Sequence, residues 1–373
     1  MRFHRIILPA LSLLLLVSCA EDIDMSSRDG GDVTSTVVAA GTGPELLLAE
    51  PSATVTRATD PDLQNTALDS RTRLGVFVVR PEVWAEIVRA SSQDDYAAAF
   101  CDKPLDGYGY MNVPCRAYRG NIVPEDGSAF RLPSDEQFDR LGVAVVVYAP
   151  YKANLTLRSL LRRHEGTLLR PLKDQREETD ELNSDIIYGI PAEGNPVWRL
   201  VSGSVTDTDG SGTETEREAT EITHGYNVAL SLRHYGTRLT VETVLHNTSE
   251  TDTLRYDSIS VCVVDPVRIY KYGPYISPDA QELVFPDNVS AVYLNTDDIQ
   301  MATWRNITLL PGQSAGTYYA TCMVLPIQLH LSTAFQFTFY RDGQVLDTRI
   351  GGPDRDVRYQ SGKSLRFPVN IRL

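Results

Sequence analysis

Gly312-Gln313-Ser314-Ala315-Gly316 matches the GxSxG pattern with which serine hydrolases present a nucleophile. That chemistry needs a strand before the serine and a helix after it, so that the hydroxyl stands exposed on a strained turn. Here Leu309-Leu310-Pro311-Gly312 leads in and Thr317-Tyr318-Tyr319 leads out, which reads as a turn and then a strand. A triad of this type also wants an acid and then a histidine further along the chain. The next histidine is His330; no Asp or Glu separates it from Ser314, and no histidine follows it. The motif reads as a turn between strands, with no catalytic residue, and no enzyme is expected.

Asp207-Thr208-Asp209-Gly210-Ser211-Gly212 with Glu218 places oxygen ligands and a glycine as a calcium loop does. Glu214, however, falls where such a loop carries a buried aliphatic, and the lead-in Val197 to Val201 has the character of a strand. The stretch is taken as a solvated acidic loop. The six histidines show no HExxH or other ligand spacing, no CxxC pair suggests structural zinc, and no glycine-rich phosphate loop is present. No metal and no cofactor is expected. Beyond Cys19, four cysteines remain: Cys101, Cys115, Cys262 and Cys322. Two bridges fit the even count in an oxidising compartment. Cys262 and Cys322 lie in apolar strand-like runs and equally fit free buried thiols.

The elements that would carry these residues are mostly strands. Gly75 to Val79, Val143 to Ala149, Val228 to Leu232, Leu239 to Val241 and Phe335 to Tyr340 are short, β-branched or aromatic, and bounded by turn residues. Helices are few. Pro81 to Ala90 has proline near its start and apolar residues at helical spacing, and Leu155 to Arg163 is a weaker candidate. Regularly spaced strands with few helices predict a mainly β chain, with two β-sandwiches in series. Ser202 to Thr223 is acidic, rich in Thr and Gly, and nearly free of apolar residues, so it reads as a loop or linker between halves.

The formal charge of −14 over 373 residues argues against nucleic acid, which needs clustered Lys and Arg. Apolar content of 42% is that of a folded chain. No apolar stretch reaches the roughly 18–20 residues of a spanning helix. The start of the chain is an export signal: Arg2 and Arg5 precede the apolar run Ile6 to Val17, which ends in Leu16-Val17-Ser18-Cys19. That box resembles the lipobox of bacterial lipoproteins, which implies a diacylated Cys19 as the mature N-terminus and outer-membrane lipid as a partner. Two acyl chains anchor stably where one would be marginal. Glu21, Asp22 and Asp24 resemble the acidic signal that sends Bacteroidetes lipoproteins to the cell surface. Ala20 to Pro44 reads as a flexible tether.

Six segments, in order, resemble the fimbrillin family, the pilin-like surface lipoproteins of Bacteroidetes. They are Val55-Thr56-Arg57-Ala58 after Leu46-Leu47-Leu48; Val145 to Tyr151; Asp185 to Gly189; the pair carrying Val228, Leu230, Leu232, His234, Leu239 and Val241; Tyr319 to Pro326; and Gly362-Lys363 with the C-terminus. Ile327 departs from the pattern, which usually has Gln there. Taken as core strand residues, the same positions would look no different, and His234 reads as a packed strand residue rather than a ligand. The resemblance implies two transthyretin-like sandwiches and cleavage between Arg57 and Ala58. It also implies a location on the outer membrane and in a fimbrium, with other fimbrial subunits and a host or bacterial surface ligand as partners. The implied division is 1–18 signal peptide, 19–44 tether, 45–57 removable N-terminal strand, 58–201 first sandwich, 202–223 acidic loop or linker, and 224–373 second sandwich.

Leu365, Phe367, Val369, Ile371 and Leu373 alternate with Arg366, Pro368, Asn370 and Arg372 in strict period 2. Such a strand would put five apolar side chains into a groove, and Pro368, lacking an N–H, suits an edge. Two roles remain open for it: the last strand of this chain's own sheet, or a donor strand offered to the next subunit. Two functions also remain open. One is a structural or adhesive fimbrial subunit assembled by protease-triggered strand exchange. The other is a surface lipoprotein that binds glycan or host protein without polymerising.

Overall fold

The computed structural model describes residues 36–39, 45–50, 62–65, 67–85, 109–132, 142–157, 160, 169, 171–198, 225–264, 269–270, 275–276, 283–284, 293–295, 298–326, 330–331, 333–353 and 357–373. The expected mainly β fold is present: strands dominate these residues, and the helical pieces are short, Glu178–Leu182 and residues 81–85. Cys19, Cys101, Arg57, Ala58 and the acidic stretch 202–223 with its Asp207–Glu218 loop lie outside the described residues.

The first sheet runs in the order Thr36–Ala39, Gly109–Tyr118, Arg73–Val79, Val143–Ala149, Ile187–Pro191, Gly225–His234, Glu45–Ala49 and Asn121–Pro124. The last of these pairs with both Glu45–Ala49 and Gly109–Tyr118, so the path closes on itself. Arg73–Val79 and Val143–Ala149 are buried on both faces, as uninterrupted apolar runs require. Val76, Val78, Val145 and Val147 point into the closed sheet; Phe77, Val146 and Tyr148 point out into a second buried cluster. Gly225–His234 follows the acidic stretch yet pairs antiparallel with Ile187–Pro191 in this first sheet. Consecutive strands therefore change sheet at Tyr235–Gly236.

Two further sheets follow. One holds Tyr318–Val324, Thr237–His246 and Ser364–Arg372; the other holds Ile299–Leu309, Leu254–Val264, Ala334–Arg341 and Gln344–Gly351. Their inner faces share one core that includes Leu239, Val241, Ile259, Val261, Phe337 and Phe367. Phe335 and Phe367 meet across it with ring centroids 5.1 Å apart. Cys115, Cys262 and Cys322 are free buried thiols, so the disulfide alternative does not hold for them. Burial pushes the thiols of Cys115 and Cys322 well above their usual range and that of Cys262 up to about 11.

Candidate functional site: two terminal strands and the clip beside them

Glu45–Ala49 is short, but it sits in the interior of its sheet. On one side it runs parallel to Gly225–Ala229, with Leu46 opposite Tyr226 and Leu48 opposite Val228. On the other it is antiparallel to Asn121–Pro124 and to Phe130–Arg131. Its period-2 pattern drives Leu46 and Leu48 inward to 2% and 0% exposure, among Ile122, Phe130, Val228 and Leu230. Burying two leucines contributes roughly 3–6 kcal/mol. The chain leaves this strand held, since the Glu50 N–H donates to Gly120 O at 2.8 Å.

The next described residues, Asp62 to Asn65, clip onto the opposite end of the sequence. Asp62 bridges Lys363 antiparallel, and its carboxylate takes the Lys363 ammonium at 2.6 Å. That contact holds the Asp62 carboxyl below its usual range. The Leu63 N–H donates to Gly362 O at 2.8 Å, and the Leu63 side chain is fully buried. Gln64 then behaves as a strand would: its Nε2 donates to His234 O at 2.6 Å and its Oε1 accepts the His234 N–H at 3.0 Å. Gly362 has φ +69, and a Cβ there would stand 2.0 Å from Gln64 Nε2. His234 Nδ1 lies 2.8 Å from Asp185 Oδ2, both side chains being buried. These are residues of two separate family-like segments, and the fold makes them partners. His234 is thus the packed strand residue it was read to be, with a buried carboxylate beside it.

Ser364–Arg372 differs from the N-terminal strand in place. Among the described residues it pairs only with Thr237–His246, in parallel, at the edge of its sheet. Phe367, Val369 and Ile371 are buried, Leu365 and Leu373 are partly buried, and Arg366, Pro368, Asn370 and Arg372 face solvent. The Leu373 N–H donates to His246 O and Leu373 O accepts from the Thr248 N–H, each at 2.8 Å. Ladder bonds alternate along a parallel strand, so the odd residues bond inward and Pro368 sits with its ring nitrogen at the open edge. In this chain Leu365, Phe367, Val369 and Ile371 occupy the last strand of its own sheet, and Leu373 follows directly, hydrogen-bonded to His246.

The GxSxG segment is the turn the sequence suggested, but it brings a pair together that spacing concealed. Ser314 bridges His246, and its Oγ lies 2.8 Å from His246 Nδ1 on the surface. No acid is hydrogen-bonded to His246 among the described residues, and a strand follows at Tyr318 rather than a helix. The contact ties the turn to the strand end beside Leu373. A polar cleft of about 340 Å³ opens elsewhere, lined by Asp69, Gln175, Glu178, Glu181, Arg238 and Tyr319 among others. Two of its carboxylates are paired: Glu181 with Arg238 at 2.9 Å, and Glu178 with Arg71 at 2.7 Å.

No family model matches the chain, and no curated protein does. Similar solved structures do exist. The chain is similar to a fimbrial protein from Bacteroides ovatus at 11% identity and TM-score 0.36, covering 89% of this chain and 50% of that one, so it spans about half of that protein's length. It is similar to a candidate cell adhesion protein from the same species at 13% identity and TM-score 0.43, covering 87% and 91%. It is also similar to the fimbrial anchor protein Mfa2 from Porphyromonas gingivalis at 9% identity and TM-score 0.28, covering 82% and 81%. All three likenesses are loose.

Proposed function

We propose that this chain is a structural or adhesive subunit of a surface fimbria. It is exported as a lipoprotein on Cys19 and matured by cleavage between Arg57 and Ala58. One observation carries the reading: that bond lies in sequence between two anchored points, the buried strand Glu45–Ala49 and the clip at Asp62–Gln64. A cut there separates the strand and its lipid from a body that stays pinned from Asp62 onward. Withdrawal of the strand leaves unpaired edges on Gly225–Ala229 and on Asn121–Pro124, with Val228 and Ile122 uncovered. Such a groove favours an incoming extended segment that restores ladder bonds and alternate side chains. Leu365, Phe367, Val369, Ile371 and Leu373 have the pattern of that segment, and a neighbouring subunit is its source. Delivery requires the donor to break its own Asp62–Lys363 clip and lift three buried side chains.

The test is N-terminal sequencing and sizing of the protein taken from intact cell surfaces. Assemblies that begin at Ala58 support the proposal. A monomer that still begins at Cys19 overturns it and favours the surface lipoprotein that binds without polymerising.

A further inference from the structure

The hairpin Ala334–Arg341 and Gln344–Gly351 ends its sheet with a strand unlike the others. Its tight turn has Asp342 at φ 50 and Gly343 at φ 72, the mirror-image turn that suits a two-residue hairpin. The tip is pinned inward, because the Arg341 guanidinium donates to Arg255 O at 2.6 Å. Among the described residues Gln344–Gly351 pairs only with Ala334–Arg341, leaving its other backbone edge without a strand. Val345, Leu346 and Ile350 are 57%, 50% and 67% exposed, three of the six large apolar side chains most open to solvent among the described residues. An exposed edge with apolar side chains is a template for pairing.

What it pairs with follows from the order of its residues. Thr348 stands opposite Thr338 and Ile350 opposite Gln336, so Thr348 and Ile350 share one face, and the register shifts at Leu346, which sits in a bulge between Val345 and Asp347. Asp347 and Arg349 stand opposite Phe339 and Phe337 on the other face and meet each other at 2.7 Å. Inward-facing charges of this kind can guard an edge against pairing. A guard works when its charges find no partner on an incoming strand. Here they are opposite in sign and placed symmetrically about Thr348.

We infer that Gln344–Gly351 is a homodimer interface, in which two copies of this chain pair antiparallel about a two-fold axis through Thr348. In that register Asp347 faces Arg349 of the second copy and Thr348 faces its own counterpart, while the bulge at Leu346 takes Val345 and Leu346 out of the regular ladder. Both pairings are favourable, and the contact is self-complementary as a two-fold interface must be. The two sheets become one continuous sheet across the axis. The contact uses neither the Glu45–Ala49 groove nor the C-terminal strand, so it stands or falls apart from strand exchange.

The experiment uses the full chain extracted in detergent, with its mass followed against concentration by sedimentation. The wild type is expected to be a reversible dimer. Asp347→Arg and Arg349→Asp each set like charges opposite one another at two places, weakening the dimer by roughly ten- to a hundred-fold. Mixing the two variants restores dimers, since arginines on one copy then face aspartates on the other while each copy keeps its internal repulsion. Thr348→Cys cross-links to itself on oxidation, whereas Gln344→Cys, far from the axis, does not. A wild type that stays monomeric, single variants that dimerise unchanged, or a mixture that remains monomeric would each overturn the inference.

Discussion

An early strand and the last one solve opposite problems with the same period-2 alphabet. Glu45–Ala49 is short, buries two leucines and has neighbours on both sides. Ser364–Arg372 is longer, buries three apolar side chains and has a neighbour on one side only. Loss of an edge strand uncovers core but leaves a sheet with the same number of edges. Loss of an interior strand creates two new edges facing each other across a gap one strand wide. The weaker strand is therefore the one whose removal makes a binding site. The stronger one is a resident whose departure must be compensated elsewhere, and the clip at Asp62–Gln64 holds Gly362 and Lys363, directly before the resident strand.

Deletion of Leu365 to Leu373 should have the largest effect. Phe367, Val369 and Ile371 together contribute about 5–9 kcal/mol, comparable with the whole stability of a domain. Thermal melting should show the loss as a collapsed or absent cooperative transition. An unchanged melt with lost assembly would instead make the strand a dedicated donor and erase the contrast drawn above. Leu48→Ala should cost about 2–5 kcal/mol, because Leu48 is fully buried and its neighbours are held in a closed sheet. The sharper readout is protease access. Arginine-specific cleavage near residue 57 should release the strand faster in this variant than in the wild type.

Gly362→Ala comes next, at roughly 1–3 kcal/mol, since it combines a left-handed backbone with a Cβ that displaces Gln64. Hydrogen exchange at the His234 amide should accelerate, while the amides of Glu45–Ala49 stay protected. Equal acceleration at both would show that clip and strand are one unit. Asp62→Asn should be smallest, up to about 1 kcal/mol for a half-exposed ion pair. The Asp62 carboxyl is held down by Lys363, so its contribution is present at neutral pH and fades as pH falls through the lowered value. The variant and the wild type should therefore melt apart at neutral pH and converge in acid below the ordinary carboxylate range.

Much of this was legible beforehand, and the reasons are local. Val143 to Ala149 reads as a doubly buried strand because no polar residue interrupts it, and Leu365 to Leu373 reads as a half-buried one because it alternates. The parallel pairing of Glu45–Ala49 with Gly225–Ala229 was not legible. Neither was the pairing of Gln64 with His234, 170 residues apart in sequence. Asp185 and His234 were each noticed within separate segments, but nothing in the spacing said that they touch. The contact of His246 with Ser314 is hidden in the same way, because the histidine lies 68 residues before the serine rather than after it. Strand order, unlike strand character, depends on contacts that periodicity does not encode.

The most direct measurement is controlled arginine-specific proteolysis of the full chain, with N-terminal sequencing, thermal melting and mass read on the same sample. Cleavage should occur after Arg57, the Glu45–Ala49 segment should leave, and the remaining body should melt lower and then gather into higher-mass species. Arg57→Gln should remain whole and unassembled under the same conditions. A chain cut at Arg57 that keeps its melting temperature and its single-subunit mass would contradict the groove-opening role of the N-terminal strand.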